Sequence, residues 1–82
     1  MGKYKVLIKP SAVREIEDLP RKKDRQSVVQ RLEQLANEPR PPGCQKLSGR
    51  DLYRVRQGYY QVVYEVRESD LVVTTVKDRD RK

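Results

Sequence analysis

Leu52-Tyr53-Arg54-Val55-Arg56-Gln57-Gly58-Tyr59-Tyr60-Gln61-Val62-Val63-Tyr64-Glu65-Val66 is the stretch that decides the fold. Side chains of an extended strand alternate between its two faces. In Leu52 to Gln57, Tyr53 and Val55 oppose Leu52, Arg54 and Arg56. In Tyr60 to Val66, Tyr60, Val62, Tyr64 and Val66 oppose Gln61, Val63 and Glu65. Gly58-Tyr59 supplies the turn between them, because glycine takes the positive φ of a tight hairpin at no steric cost. The stretch predicts a β-hairpin with a tyrosine-rich apolar face and a face bearing Arg54, Arg56 and Gln61.

The neighbouring segments extend this sheet. After a turn at Arg67-Glu68-Ser69-Asp70, Leu71 to Lys77 is β-branched and apolar, the pattern of a well-covered strand. Asp78-Arg79-Asp80-Arg81-Lys82 is purely charged. Upstream, Ser48-Gly49-Arg50-Asp51 reads as a turn and Cys44 to Leu47 as a short strand. Pro39-Arg40-Pro41-Pro42-Gly43 forms a rigid loop, since proline fixes φ and lacks an N–H. Residues 21–38 predict a helix whose stripe is Val28, Leu32, Leu35 and Ala36, widened by Val29. A shorter helix carries Ala12, Val13, Ile16 and Leu19, with Ser11 as its N-cap and Pro20 as its stop. Residues 4–9 alternate Tyr4, Val6 and Ile8 against Lys5, Leu7 and Lys9, as a half-buried strand does. The expected class is α+β: an N-terminal strand and two helices on one face of a mainly antiparallel sheet of four or five strands. A single domain over residues 1–82 is expected from this order and from the length.

Composition narrows the chemistry. The 82 residues contain 19 Lys and Arg against 12 Asp and Glu, a net charge of +7, and no histidine. Without imidazole there is no Ser-His-Asp triad, no Cys-His pair and no His-ligated zinc. One cysteine forms no internal disulfide and no CxxC pair. No metal and no cofactor is expected. Apolar runs are short, so neither a signal peptide nor a membrane span is expected, and the cytoplasm is the default location. The basic excess points to a polyanion.

The parity of the strands places that charge. Arg54 and Arg56 point the same way, roughly 7 Å apart, with Gln61 or Val63 about 5 Å away on the neighbouring strand. Thr75, Lys77 and Arg79 share a parity on the last strand. The uncovered sheet face is therefore expected to hold Arg54, Arg56, Lys77 and Arg79, flanked by Lys46, Arg50 and Arg81. Like charges side by side repel, though Glu65 offers a local partner. Guanidinium forks bind phosphate oxygens two at a time, so the face reads as a phosphate-binding surface. Tyr53, Tyr60 and Tyr64 are expected in the core. Tyr59, in the turn, is free to stack on a base. Cys44 reads as a small packing residue.

Four features together resemble a known family. They are Lys9-Pro10-Ser11-Ala12 after the first strand, Asp18-Leu19-Pro20 after the first helix, Lys46-Leu47-Ser48-Gly49 before Tyr53-Arg54-Val55-Arg56, and Val62-Val63-Tyr64-Glu65-Val66. This order is similar to the RelE branch of the RelE/ParE toxin superfamily, over about residues 4–81. The resemblance implies the toxin of a type II toxin–antitoxin system, a ribosome-dependent endonuclease that cleaves mRNA in the A site. It implies catalytic roles for Arg54, Arg56 and Arg79, and RNA contacts from Lys46, Gln61, Lys77 and Arg81. The implied partners are an acidic antitoxin, the ribosome and mRNA, with operator DNA reached only through the antitoxin and no membrane. Many RelE-like toxins carry Arg where Gln61 stands, and a Tyr beyond the position of Arg79 that has no counterpart before Lys82. The alternatives on the same fold are a ParE-like inhibitor of DNA gyrase and an antitoxin-binding module with little or no activity.

Overall fold

A computed structural model describes residues 4–47 and 51–78. The elements run β1 (Lys5–Ile8), α1 (Pro10–Glu17), α2 (Lys22–Asn37), β2 (Gln45–Leu47), β3 (Leu52–Gln57), β4 (Tyr60–Val66) and β5 (Asp70–Asp78). They form one five-stranded sheet in the order β1-β5-β4-β3-β2. β2, β3, β4 and β5 are successive antiparallel neighbours. β1 joins the far edge parallel to β5, with Lys5 opposite Asp70 and Ile8 opposite Val73. A parallel pair needs a long crossover, which the two helices and the hairpin strands supply. The class is the expected α+β.

Both helices cover one sheet face. Ala12, Ile16 and Leu19 from the α1 side and Val28, Leu32 and Leu35 from α2 pack on Tyr53, Val55, Val62, Tyr64, Val66, Leu71, Val73 and Val76. The hairpin parity read from the sequence is the observed one: Tyr53, Val55, Val62, Tyr64 and Val66 are all buried. Gly58 sits in the turn at φ 60°. Tyr60 is half-buried, and its hydroxyl donates to Asp24 at 3.2 Å.

Several local expectations change. Ser11 does not cap α1. Lys9 is the N-cap, in extended backbone, and Pro10 opens the helix. Proline suits that first position because its missing N–H would have no helical partner there. The Lys9 N–H is spent on the Val73 carbonyl at 3.0 Å, so the sheet ladder runs directly into the helix start. Val29 does not widen the core stripe and is 45% exposed, because it shares the solvent-facing margin of α2 with Lys22, Gln26 and Gln30. Val13 likewise faces outward. The last strand begins at Asp70, one residue before the expected start. The expected turn at 48–51 lies outside the described residues except for Asp51, whose carbonyl accepts from Val66 N–H at 2.9 Å.

β5 departs from a plain ladder at both of its edges. Past Ile8 the edge of β5 is open, and the Glu15 carboxylate of α1 closes it. It accepts from Val76 N–H at 2.9 Å and from the Thr75 hydroxyl at 3.0 Å. An exposed strand edge covered in this way offers no template for another chain. Opposite β4 the register shifts: Val63 faces Thr75 but Tyr64 faces Val73, which leaves Thr74 as an extra residue. The Thr74 hydroxyl donates to the Val63 carbonyl at 2.9 Å across this bulge.

Candidate functional site

The uncovered face is ordered by the register into rows that cross the strands. One row is Arg56, Gln61 and Lys77. The next is Gln45, Arg54, Val63 and Thr75. A third is Leu47, Leu52, Glu65, Val72 and Leu7. The face thus has a basic end and an apolar end. Arg54 and Arg56 alternate with buried Tyr53 and Val55, so both project away from the helices.

The bulge decides where Lys77 lies. Leu71 and Val73 face the core, and strict alternation would send Thr75 and Lys77 the same way. The extra residue at Thr74 resets the phase, so Val76 takes the core position opposite Val62 and Lys77 falls opposite Gln61. Lys77 is exposed. The shared parity of Thr75 and Lys77 was visible in the sequence, but the reason for their side of the sheet was not.

Lys46 goes elsewhere. It pairs with Tyr53, which gives it the phase of the helix-covered face at the sheet edge. The residue beside Arg54 is Gln45, whose side-chain oxygen accepts a hydrogen bond from Arg54 Nη2. Sequence reading missed Gln45 because the phase of β2 depends on a turn whose length residue pattern alone does not set. The signal that would have found it is the β2–β3 pairing. Gly43, at φ 91°, joins Gln45, Arg54 and Arg56 around a shallow cleft of about 190 Å³.

Electrostatics at this cleft is one-sided. Glu65, the expected local counter-charge, instead meets Arg67 at 3.3 Å, in the apolar row's neighbourhood. Among the described residues, neither Arg54 nor Arg56 is in a salt bridge, and Arg54 has a neutral amide as its partner. Two adjacent guanidinium groups without carboxylates suit an anion with several oxygens, of which phosphate is the biological case. Among the described residues no group of acidic, Cys or His side chains is placed to hold a metal ion. Arg50, Arg79 and Arg81 lie outside the described residues; Arg79 directly follows Asp78, the end of β5.

Behind the cleft, on the covered face, Tyr53 and Tyr64 stack with ring centroids 5.9 Å apart at 24°. The Tyr64 hydroxyl donates to the Pro39 carbonyl at 2.7 Å. Burial, with the neighbouring Cys44 thiol, pushes the Tyr64 phenol well above its ordinary range. Burial and then the Asp24 carboxylate raise that of Tyr60. Cys44 itself is half-buried against the core, as expected of a packing residue. Tyr59, at the hairpin tip, is 64% exposed. Among the described residues no helix is long and apolar enough to cross a membrane.

Known proteins share this fold. The family model described as the ParE toxin of the type II toxin–antitoxin system parDE matches residues 6–82. The archaeal RelE–RelB complex from Pyrococcus horikoshii contains a chain 28% identical, with a TM-score of 0.82 over 98% of this chain and 99% of that one. The intact Escherichia coli RelBE toxin–antitoxin complex matches at 21% identity and TM-score 0.82, over 95% and 99% of the two chains. A chromosomal ParDE system from Pseudomonas aeruginosa matches at 9% identity and TM-score 0.77, over 93% and 96%. The last two likenesses are of fold alone. No curated protein sequence matches the chain.

Proposed function

The chain belongs to the ParE-toxin family of type II toxin–antitoxin systems, in the RelE/ParE superfamily, and from its likeness to the chain of the archaeal RelE–RelB complex we propose that it is a ribosome-dependent mRNA endonuclease of the RelE kind. The observation that carries this reading is the pair Arg54 and Arg56, side by side at a cleft on the uncovered sheet face and, among the described residues, in no salt bridge.

The chemistry needs no imidazole. The ribose 2′-oxygen attacks the adjacent phosphorus, the O2′–P bond forms and the P–O5′ bond breaks. The products are a 2′,3′-cyclic phosphate and a free 5′-hydroxyl. Charge grows on the phosphoryl oxygens in the transition state, and Arg54 and Arg56 stabilise it there. Gln61, next to Arg56, contributes a neutral hydrogen bond. Arg79, which follows β5 in the sequence, adds further catalytic charge, and Arg81 and Lys46 contact RNA. A guanidinium is a poor base because its pKa exceeds ~12. The proton from the 2′-oxygen therefore goes to the amine of Lys46 or Lys77, once that amine has lost its own proton, or to a group supplied by the ribosome, and the departing 5′-oxygen takes a proton from water or the ribosome to become the hydroxyl.

An antitoxin is the proposed partner, as in the RelE–RelB complexes of the relatives, and an acidic one is expected from charge. A chain of net charge +7 attracts an acidic segment, and the complex weakens as salt screens that attraction. Operator DNA is reached through the antitoxin, and the site of action is cytoplasmic.

The test is a translating extract with purified protein, read by primer extension on a reporter mRNA. New 5′ ends at A-site positions are expected, and none with Arg54→Ala plus Arg56→Ala. Absence of new ends at doses that bind ribosomes rejects the reading. The second reading, inhibition of DNA gyrase, is favoured by the ParE family model and by the likeness to the ParDE structure. It predicts loss of supercoiling activity in a gyrase assay, with the two arginines dispensable.

A further inference from the structure

We infer that Arg40 is a positioning residue for the arginine cleft: anchored on Tyr53 behind the sheet, it sets the Pro-rich loop whose far end walls the cleft in front. The inference rests on the reading that this cleft takes a phosphate.

The loop from residue 38 to residue 44 leaves α2 on the covered side and enters β2 at the sheet edge. Pro39, Pro41 and Pro42 have no N–H, so the loop lacks the donors that would dock it by a backbone ladder. Side chains reaching out from the sheet dock it instead. Tyr64 holds the Pro39 carbonyl at 2.7 Å. Arg40 Nε donates to the Tyr53 hydroxyl at 2.8 Å, and the guanidinium carbon lies 5.3 Å from the Tyr53 ring centroid. Cys44 N–H closes the turn on the Pro41 carbonyl at 3.2 Å, with Gly43 in the left-handed region.

The loop then reaches the opposite side of the sheet. Gly43 and Gln45 form one wall of the cleft, and Arg54 and Arg56 form the other. Gln45 also accepts from Arg54, so the position of β2 bears on where the Arg54 fork points. Arg40 does not line the cleft. It is otherwise an exposed cation, free to stay solvated, yet its fork is fixed on one phenol by a hydrogen bond and a cation–π contact together. β3 thus serves both faces: the Tyr53 ring carries the loop, while the next residue in the chain, Arg54, carries the charge.

The experiment is NMR of the whole isotope-labelled chain. It follows the Gln45 side-chain amide and the Arg54 and Arg56 Nε–H signals, with inorganic phosphate as the titrant. Arg40→Ala is expected to shift the Gln45 and Arg54 signals before any phosphate is added. It should weaken phosphate binding about fivefold, the equivalent of one hydrogen bond. Tyr53→Phe keeps the ring and loses the acceptor, and should produce a smaller change of the same kind. Arg40→Lys, which keeps a cation over the ring but not the Nε donor, should fall between Arg40→Ala and the unaltered chain. Unchanged Gln45 and Arg54 signals and unchanged phosphate affinity in Arg40→Ala and Tyr53→Phe would overturn the inference. Should Arg40→Ala fail to fold, Tyr53→Phe decides by the same readings. A different result, phosphate leaving the Arg54 and Arg56 signals of the unaltered chain unmoved, removes the phosphate reading. The Gln45 and Arg54 shifts in the variants still judge the positioning role.

Discussion

Tyr53 and Val55 on one face of β3, and Arg54 and Arg56 on the other, are chain neighbours in opposite environments. The first pair is buried under the helices, with 7% and 2% exposure. The second pair faces a shallow cleft with no carboxylate in a salt bridge to it among the described residues. The helix-covered face is tuned for packing and tolerates little change. The uncovered face holds like charges together, which adds nothing to stability and prepares a surface for an anion. One strand thus separates the packed face from the proposed anion-binding face at single-residue spacing.

That contrast can be broken most strongly from the covered face. Val62 is fully buried at the centre of β4, so Val62→Asp places an unpaired charge in the core. It is expected to cost more than ~4 kcal/mol and to abolish the cooperative transition in denaturant unfolding. On the uncovered face, Arg54→Ala or Arg56→Ala should leave the unfolding midpoint nearly unmoved, within about 0.5 kcal/mol. Each should lower A-site cleavage by roughly 10²–10³-fold, as removal of one charge-stabilising donor does elsewhere. If either variant unfolds the chain, the separation of the two faces fails.

Tyr64→Phe sharpens the contrast by removing only the hydroxyl that holds the Pro39 carbonyl. A loss of about 1 kcal/mol is expected in chemical denaturation, since a half-buried carbonyl is left without this partner. The same residue gives a pH signature. The phenols of Tyr64 and Tyr60 are raised in the folded chain above their ordinary value of 10.0. Their contribution is fully present below the unfolded value and is lost as pH climbs towards the folded ones. Stability should therefore hold near neutrality and fall from about pH 10 upward. That fall should be shallower in Tyr64→Phe when midpoints are compared at pH 8 and pH 11. The smallest effect belongs to Glu65→Gln. Its pairing with Arg67, whose side chain is 62% exposed, is worth about 0.2–1 kcal/mol at most.

Much of this was legible in residue order. The hairpin from Leu52 to Val66, its turn at Gly58, and the opposite facing of Tyr53 and Arg54 follow from alternation alone. So does the core stripe of α2, apart from Val29. The errors share one cause. Ser11 was a sound cap by type, but the chain spends Lys9 N–H on the sheet and lets Pro10 start the helix. Charge alone groups Lys46 with the arginines, but the register of β2 presents Gln45 to Arg54. Glu65 was the nearest acid by strand, yet it pairs with Arg67. Each outcome depends on a partner distant in the chain or on a register that a turn sets.

The sequence by itself determined which residues alternate, which periodicity each segment has and which charges belong together on β3, because these depend only on backbone geometry and near neighbours. Only the tertiary structure decided the parallel seating of β1 beside β5, the phase of β2, the bulge at Thr74 that turns Lys77 outward, and the anchoring of Arg40 on Tyr53. Those four depend on pairing across the chain, where a shift of one residue moves every later side chain to the other face.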